Sequence, residues 1–359
     1  MSHYDFNTDF MLSSYDYILP QSAIAQSPAN PRESAKLLVY ERQSGRITHS
    51  DFYHFCDFVP QETLLVLNDT KVLKARIYAH KHNSHTQTSK QYEIFFHKFL
   101  ESAQPSTLCL TQIKGRVKNG DKLVLIDSIL TSPIIAHVLQ CCENGMRVVQ
   151  FTQDNESLSP TQVLAMLQKY GHIPLPPYIK RNDSPNDGLF YQSVFATHLG
   201  SVAAPTASLH FSEKSLESMR LRFAMCFITL HIGAGTFMGV ESADIRHHHI
   251  HTESYSLTQE SANKIQKAHK VLCIGTTAAR CVEHYMRYRQ LSGECNIFLY
   301  PSVEFQRVNY LLTNFHLPKS TLLMLVSAMV GREKCLELYQ IALQNGYKFY
   351  SYGDGMLIL

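Results

Sequence analysis

The stretch VLCIGTTAARCVEHYMRYRQ, Val271 to Gln290, opens with an apolar run, turns at Gly275-Thr276-Thr277, and continues with Val282, Tyr285 and Met286 on one helical face. A strand that leads through a tight turn into a helix is one layer of an α/β structure. The same order recurs on either side of it. FITLHIGAG (227–235) precedes SLTQESANKIQKAH (256–269), and LLTNFHLPKS (311–320) precedes TLLMLVSAM (321–329). From about residue 200 onward the chain therefore reads as alternating strands and helices.

Residues 61–150 have a different texture. The short β-rich runs LLVLN, YEIFFHKF, KLVLI and RVVQF are separated by polar loops such as HKHNSHTQTSK and VKNGD, which suits an antiparallel barrel or sandwich. This segment carries 11 Lys and Arg against 7 Asp and Glu, while the remainder carries 22 against 23. All the positive excess thus sits in one place, which hints at a polyanionic partner such as RNA. The predicted architecture is an α/β body, residues 1–60 and 151–359, with an inserted antiparallel β-barrel domain at 61–150.

Composition excludes several classes. With 359 residues, 45% apolar and 18% charged, the chain is neither disordered, fibrous nor a coiled coil. The run Thr321–Val330 is too short to cross a bilayer, and the N-terminus carries Asp5 and Asp9 without the basic and apolar regions of a secretory signal. Nine cysteines without a C-x-x-C speak against a disulfide framework or a Cys-only zinc site. The expected compartment is the cytoplasm.

Several turns carry polar groups. Thr276 and Thr277 open a helix whose free N–H groups suit a carboxylate or phosphate, although capping alone explains them equally well. The loop Gly233-Ala234-Gly235-Thr236 lacks the third glycine and the acid of a dinucleotide fingerprint. In an extended strand His247, His249, His251 and Glu253 would share a face, but the spacing matches no compact zinc motif and no metal is expected. Small residues stand beside titratable ones in AAPTASLHF (203–211), TNFHLP (313–318) and SYGDG (351–355). GHIPLPPYIKR (171–181) could stack a base on Tyr178 and hold a phosphate on Arg181, or serve as a rigid linker. NDTKVLKAR (68–76) places cations, Lys71 and Arg76 among them, at the start of the basic segment.

Taken together these blocks resemble the S-adenosylmethionine:tRNA ribosyltransferase-isomerase family of queuosine biosynthesis. The similarity runs through YDYILPQSAIAQSP (15–28), LNDTKVLKARI (67–77), GHIPLPPYIKR, YQSVFA (191–196), GSVAAPTASLHF (200–211), ITLHIGAGTF (228–237), HTESY (251–255), IGTTAARCVE (274–283), LLTNFHLPKSTLLMLVSA (311–328) and YSYGDGM (350–356). Ser208 stands where that family usually has glycine. The resemblance implies that the ribosyl part of S-adenosylmethionine is transferred to 7-aminomethyl-7-deazaguanine at the wobble position of a tRNA with a G-U-N anticodon. Isomerisation then gives epoxyqueuosine, with adenine and methionine released. S-Adenosylmethionine would be consumed as ribosyl donor, so no resident cofactor is expected.

That chemistry needs acid and base groups. The titratable residues inside matching blocks are His210, His231, Glu253, His316 and Asp354, with His210 or His316 favoured as base near the ribosyl group and Asp354 or Glu253 near the amine. Thr276 and Thr277 are expected at the methionine carboxylate or a ribose hydroxyl. Asp69 or Asp16 is expected at the Watson–Crick edge of the deazaguanine, Tyr178 stacked on a base, and Lys71, Arg76 and Arg181 at phosphates. A non-catalytic tRNA-binding protein and a zinc hydrolase using the histidine run are the readings from other classes.

Overall fold

The computed structural model describes residues 8–81, 90–100, 106–126, 132–233, 235 and 239–359. The polar loop 80–90 lies largely outside these, as do Ala234 and Thr236 of the Gly233–Thr236 loop. Two compact units result: Val72–Leu175, and the flanking Met1–Lys71 with Pro176–Leu359.

The first unit is built on a nine-stranded sheet. From edge to edge its strands are Ser292–Cys295, Glu253–Leu257, Met225–Leu230, Thr63–Asn68, Lys270–Ile274, Tyr310–Asn314, Gly355–Ile358, Lys36–Tyr40 and Ile47–Asp51. Four central neighbours, from Met225–Leu230 to Tyr310–Asn314, run parallel. Alternate residues of these strands enter two apolar layers. Leu64, Val66, Val271 and Cys273 join one, and Leu65, Leu67, Leu272 and Ile274 the other. Burial on both faces explains why the strands read as unbroken apolar runs.

That rule corrects the predicted boundary. LLVLN, assigned from sequence to the barrel segment, is the strand Thr63–Asn68 in the middle of the large sheet, buried at every position. Its apolar run has no polar alternation because neither face meets water.

The expected helices are present. Gln259–Lys267 is capped by Thr258 and Thr321–Val330 by Ser320, each side chain accepting from the backbone three residues on. The 13-residue helix Thr276–Tyr288 buries Ala278, Ala279, Cys281, Val282 and Tyr285 against the parallel strands. It also buries Glu283, whose carboxylate accepts the backbone N–H groups of Gln306, Arg307 and Val308 at 2.8–2.9 Å. Arg287 Nη1 takes the fourth position at 2.6 Å, so the buried carboxylate, with each lone pair used, fixes the loop entering the strand Tyr310–Asn314.

The second unit contains a closed six-stranded antiparallel barrel. Its order is Arg76–Lys81, Gln91–Leu100, Leu108–Lys114, Met146–Gln153, Ile134–Cys141 and Lys122–Leu125, returning to Arg76–Lys81. Closure leaves no edge among these six. The runs YEIFFHKF, KLVLI and RVVQF provide three of its strands, and the alternation of Tyr92, Ile94 and Phe96 with outward residues fills the interior. A bulge between Phe96 and Lys98 shifts the register. The helix Pro160–Tyr170, started by a capping box at Ser159 and Gln162, buries Val163, Met166 and Leu167.

Candidate active site

All four central parallel strands end on the same side of the sheet, at Asn68, Leu230, Ile274 and Asn314. Their antiparallel neighbours begin there, at Glu253 and Gly355. The sequence blocks rich in small and titratable residues therefore converge at one edge although they are far apart in the chain. Asn68 ties this edge together. Its amide accepts from Leu230 N and donates to Leu230 O, both at 3.0 Å, and also donates to Thr277 Oγ1 at 3.2 Å.

A cleft open to solvent lies at this edge within the first unit. Its walls include Tyr178, Glu253, Thr276, Thr277, Arg280, Asn314 and His316. Gly275, at φ +94°, leads into the helix Thr276–Tyr288, and no side chain caps it. The first-turn N–H groups thus face the cleft end without a capping oxygen. Tyr178 stacks on Tyr350 with centroids 4.3 Å apart, and its hydroxyl lies 2.6 Å from Ser351 Oγ. One ring face is accordingly occupied by protein.

His316 is the cleft's histidine. Its Nε2 is 2.6 Å from Thr313 Oγ1, its N–H donates to the Tyr339 hydroxyl at 3.1 Å, and its carbonyl accepts from Tyr17. Burial pushes its pKa down to about 3, so the imidazole is neutral at pH 7. His210 stands one layer behind, off the cleft wall. It stacks on Phe52 at 4.0 Å, and Asn314 Nδ2 donates to its Nε2 at 3.1 Å. Burial and then Arg32 lower its pKa to about 3. Its accepting nitrogen is already engaged.

Glu253 is buried and ion-paired with Arg280, and it accepts from Gly233 N at 3.2 Å. Burial raises its pKa, but Arg280, with help from His251, outweighs that and leaves the carboxyl below its ordinary value. It is an ionised acceptor, not a proton donor.

Other expected site residues lie elsewhere. Asp354 accepts from Lys36 N and Lys348 N, both at 2.7 Å, which makes it a staple between the first strand and the C-terminal turn. Burial raises its pKa. His231 donates to or accepts from Thr70 Oγ1 at 2.7 Å and packs so closely on Gly200 that a Cβ there would come within 2.7 Å of the ring. Asp69 is buried and accepts from Thr229 Oγ1 at 2.6 Å. Asp16 is half exposed and pairs at 2.6 Å with Lys319, itself a cleft residue. Lys71 is exposed; Arg76, in the barrel unit, donates to Leu175 O at 3.3 Å and lies 3.5 Å from Glu93.

Arg181 was expected at a phosphate. Instead it forms a fork with Asp187, at 2.7 Å on each arm, and donates also to Gln26 O and Asn182 O. Asp187 is fully buried and needs that partner. Replacing Arg181 by alanine should lower unfolding free energy by about 2 kcal/mol, discounted for the arginine's partial exposure. Denaturant melts check this.

The histidine run does not form the extended strand from which a metal reading arose. Ile245–His247 is a 3₁₀ turn, and the strand starts only at Glu253. Among the described residues no three His, Cys, Asp or Glu side chains group as metal ligands. At Ser208 the backbone is in the ordinary negative-φ region, so the position does not demand glycine. Its buried Oγ has no hydrogen-bond partner. Ser208→Ala should therefore raise stability by roughly 1 kcal/mol, read as a higher denaturation midpoint with unchanged slope.

Sequence reasoning missed Arg280, Asn314 and Lys319. Arg280 had a signal: a cation between Ala279 and Cys281 on an otherwise apolar helix needs a buried partner.

A cleft outside the carboxyl ends of parallel strands, with an uncapped helix N-terminus in its wall, places the chain among α/β enzymes. The chain belongs to the queuosine biosynthesis protein family, whose model matches residues 12–358. A protein of Helicobacter hepaticus named S-adenosylmethionine:tRNA ribosyltransferase-isomerase is 69% identical over 356 residues, covering 98% of this chain and 97% of that one. One of the same name from Helicobacter pylori strain HPAG1 is 52% identical, covering 98% and 99%. The crystal structure of S-adenosylmethionine tRNA ribosyltransferase from Thermotoga maritima matches with a TM-score of 0.52 at 28% identity, covering 96% of this chain and all of that one. No helix among the described residues is long and apolar enough to cross a membrane.

Proposed function

We propose that the protein transfers and isomerises the ribosyl group of S-adenosylmethionine onto 7-aminomethyl-7-deazaguanine at the wobble position of tRNA, giving epoxyqueuosine with release of adenine and methionine. The observation that carries this reading is the 69% identity, over nearly the whole chain, to a protein named for that class of reaction. S-Adenosylmethionine is the consumed donor, and the acceptor is a tRNA with a G-U-N anticodon.

The lining of the cleft supports the following roles. His316, neutral and in its wall, is the base that removes the proton made acidic by the adjacent sulfonium at the 5′ carbon. His210 orients Asn314, and Asn314 with Thr276 and Thr277 offers polar contacts to the ribosyl hydroxyls. Tyr178, backed by Tyr350, offers its remaining face to a base. Asp16, half exposed beside Lys319, suits the Watson–Crick edge better than buried Asp69, which already serves Thr229. Lys71 and Arg76 are retained as phosphate contacts. His231, Glu253 and Asp354 then act on neighbouring groups and not on reacting atoms.

The test is incubation of the purified protein with S-adenosylmethionine and an anticodon stem-loop carrying 7-aminomethyl-7-deazaguanine, with products followed by mass spectrometry. Adenine and methionine released in equal amounts, with a matching gain in RNA mass, are expected. An RNA that binds while neither product appears would sink the reading. Lys71→Ala should weaken RNA binding and flatten its dependence on salt, by about one unit of log–log slope at most; an unchanged slope takes Lys71 out of the interface.

A further inference from the structure

Three residues that line the cleft carry a buried donor with no hydrogen-bond partner, the hydroxyls of Tyr191 and Tyr350 and the Nη2 of Arg280, and only the last is a guanidinium nitrogen suited to a carboxylate. Arg280 is 5% exposed and lies one helical turn beyond Thr276. Its Nε donates to Ile297 O at 3.3 Å and its Nη1 to Glu253, while its Nη2 has no hydrogen-bond partner. A guanidinium nitrogen buried without an acceptor is costly unless a ligand supplies one. Arg280, Glu253, Thr276 and Thr277 all line the same cleft. The helix that starts there has no side-chain cap, so its positive end is also unanswered.

The partner of these groups has a definite chemistry. Arg280 and Glu253 neutralise one another, so a plain anion gains only from the helix end and from Nη2. An α-amino acid gains on both sides, because its carboxylate meets Nη2 and the first-turn N–H groups while its ammonium meets the ionised Glu253. The geometry points to Arg280 and Glu253, with the first turn of Thr276–Tyr288, as the subsite for the amino-acid end of the donor. This rests on the reading of the cleft as an S-adenosylmethionine site and adds to it two residues and a basis for selectivity. The adenosine and sulfonium parts of the donor would lie beyond Arg280 and Glu253 in the cleft and report independently.

The experiment measures the dissociation constants of S-adenosylmethionine and 5′-methylthioadenosine, which lacks the amino-acid end, by calorimetry on the native protein and on Arg280→Lys. Lysine keeps the charge opposite Glu253 but loses the fork. S-Adenosylmethionine should bind the variant at least about tenfold more weakly, with 5′-methylthioadenosine changed less than about twofold. Equal weakening of both would make Arg280 a purely structural residue and overturn the proposal. In a second arm that needs no variant, decarboxylated S-adenosylmethionine should bind the native protein at least about tenfold more weakly than the intact donor. Equal affinities there would also overturn it. Should the native protein bind none of these compounds, the reading of the cleft itself fails, an outcome distinct from loss of the subsite alone.

Discussion

Replacement of His316 by glutamine is expected to lower kcat by about 10²–10⁴-fold while leaving the affinity for S-adenosylmethionine within a few-fold, the range typical for removal of a general base. Glutamine preserves the approximate length and a polar end toward Thr313 Oγ1, and the backbone contacts of residue 316 to Tyr339 and Tyr17 do not depend on the side chain. A loss confined to kcat would therefore report missing proton transfer and not a collapsed cleft. His210→Gln is the control. His210 lies behind Asn314 with its Nε2 already accepting a hydrogen bond, and its removal should act through the position of Asn314, with a smaller effect. If His210→Gln lost as much kcat as His316→Gln, or His316→Gln lost none, the assignment of the base would be wrong. Adenine release under single-turnover conditions is the measurement, because it separates chemistry from product dissociation.

The layers were legible in the sequence where local period and tertiary environment agree. Strand-turn-helix order in Val271–Gln290 matches Lys270–Ile274 and Thr276–Tyr288 because the apolar run, the Gly275 turn and the helical period are all local signals there. Alternation in YEIFFHKF matches a barrel strand for the same reason. The strand Thr63–Asn68 was misplaced because its neighbours in the sheet, Met225–Leu230 and Lys270–Ile274, lie more than 150 residues away. Locally it differs from a barrel strand only in lacking the alternation that YEIFFHKF shows, and which sheet it joins is decided by those distant partners.

The site was legible as a pool of residues and not as a set of roles. His316, Glu253, Tyr178, Thr276 and Thr277 do line one cleft. Asp354 sits in a glycine-rich turn that resembles a ligand loop, yet both its oxygens accept backbone N–H groups. Arg181 follows an aromatic in a strip suited to RNA, yet Asp187, six residues on, claims its fork. A titratable side chain in a turn looks the same in sequence whether it serves substrate or backbone. Which one it serves depends on distant partners, and only the fold brings those into reach.

The same buried histidines make stability depend on pH in a predictable direction. His316 and His210 have native pKa values near 3 against about 6.5 in the unfolded chain. Between those values the unfolded state binds more protons than the native one, so acid favours unfolding. Their stabilising contribution is complete above pH 6.5 and is lost progressively as pH falls toward about 3. Each such histidine contributes a slope of about 1.4 kcal/mol per pH unit while it is neutral in the native state and charged in the unfolded one. Asp354, whose pKa burial raises, opposes this trend, since it takes up its proton earlier in the native state than in the unfolded chain, and its contribution cancels when the native protein and a His316 variant are compared. The window from about pH 6.5 to 5, where ordinary carboxylates stay ionised, is consequently the clean one. Urea melts of the native protein across that window should show unfolding free energy falling steadily with acid. His316→Gln, which is uncharged in both states, should fall less steeply by about 1.4 kcal/mol per pH unit. Parallel slopes for the two proteins would mean that His316 is solvated and readily protonated in the native cleft, and a base of that kind could not remain neutral by burial.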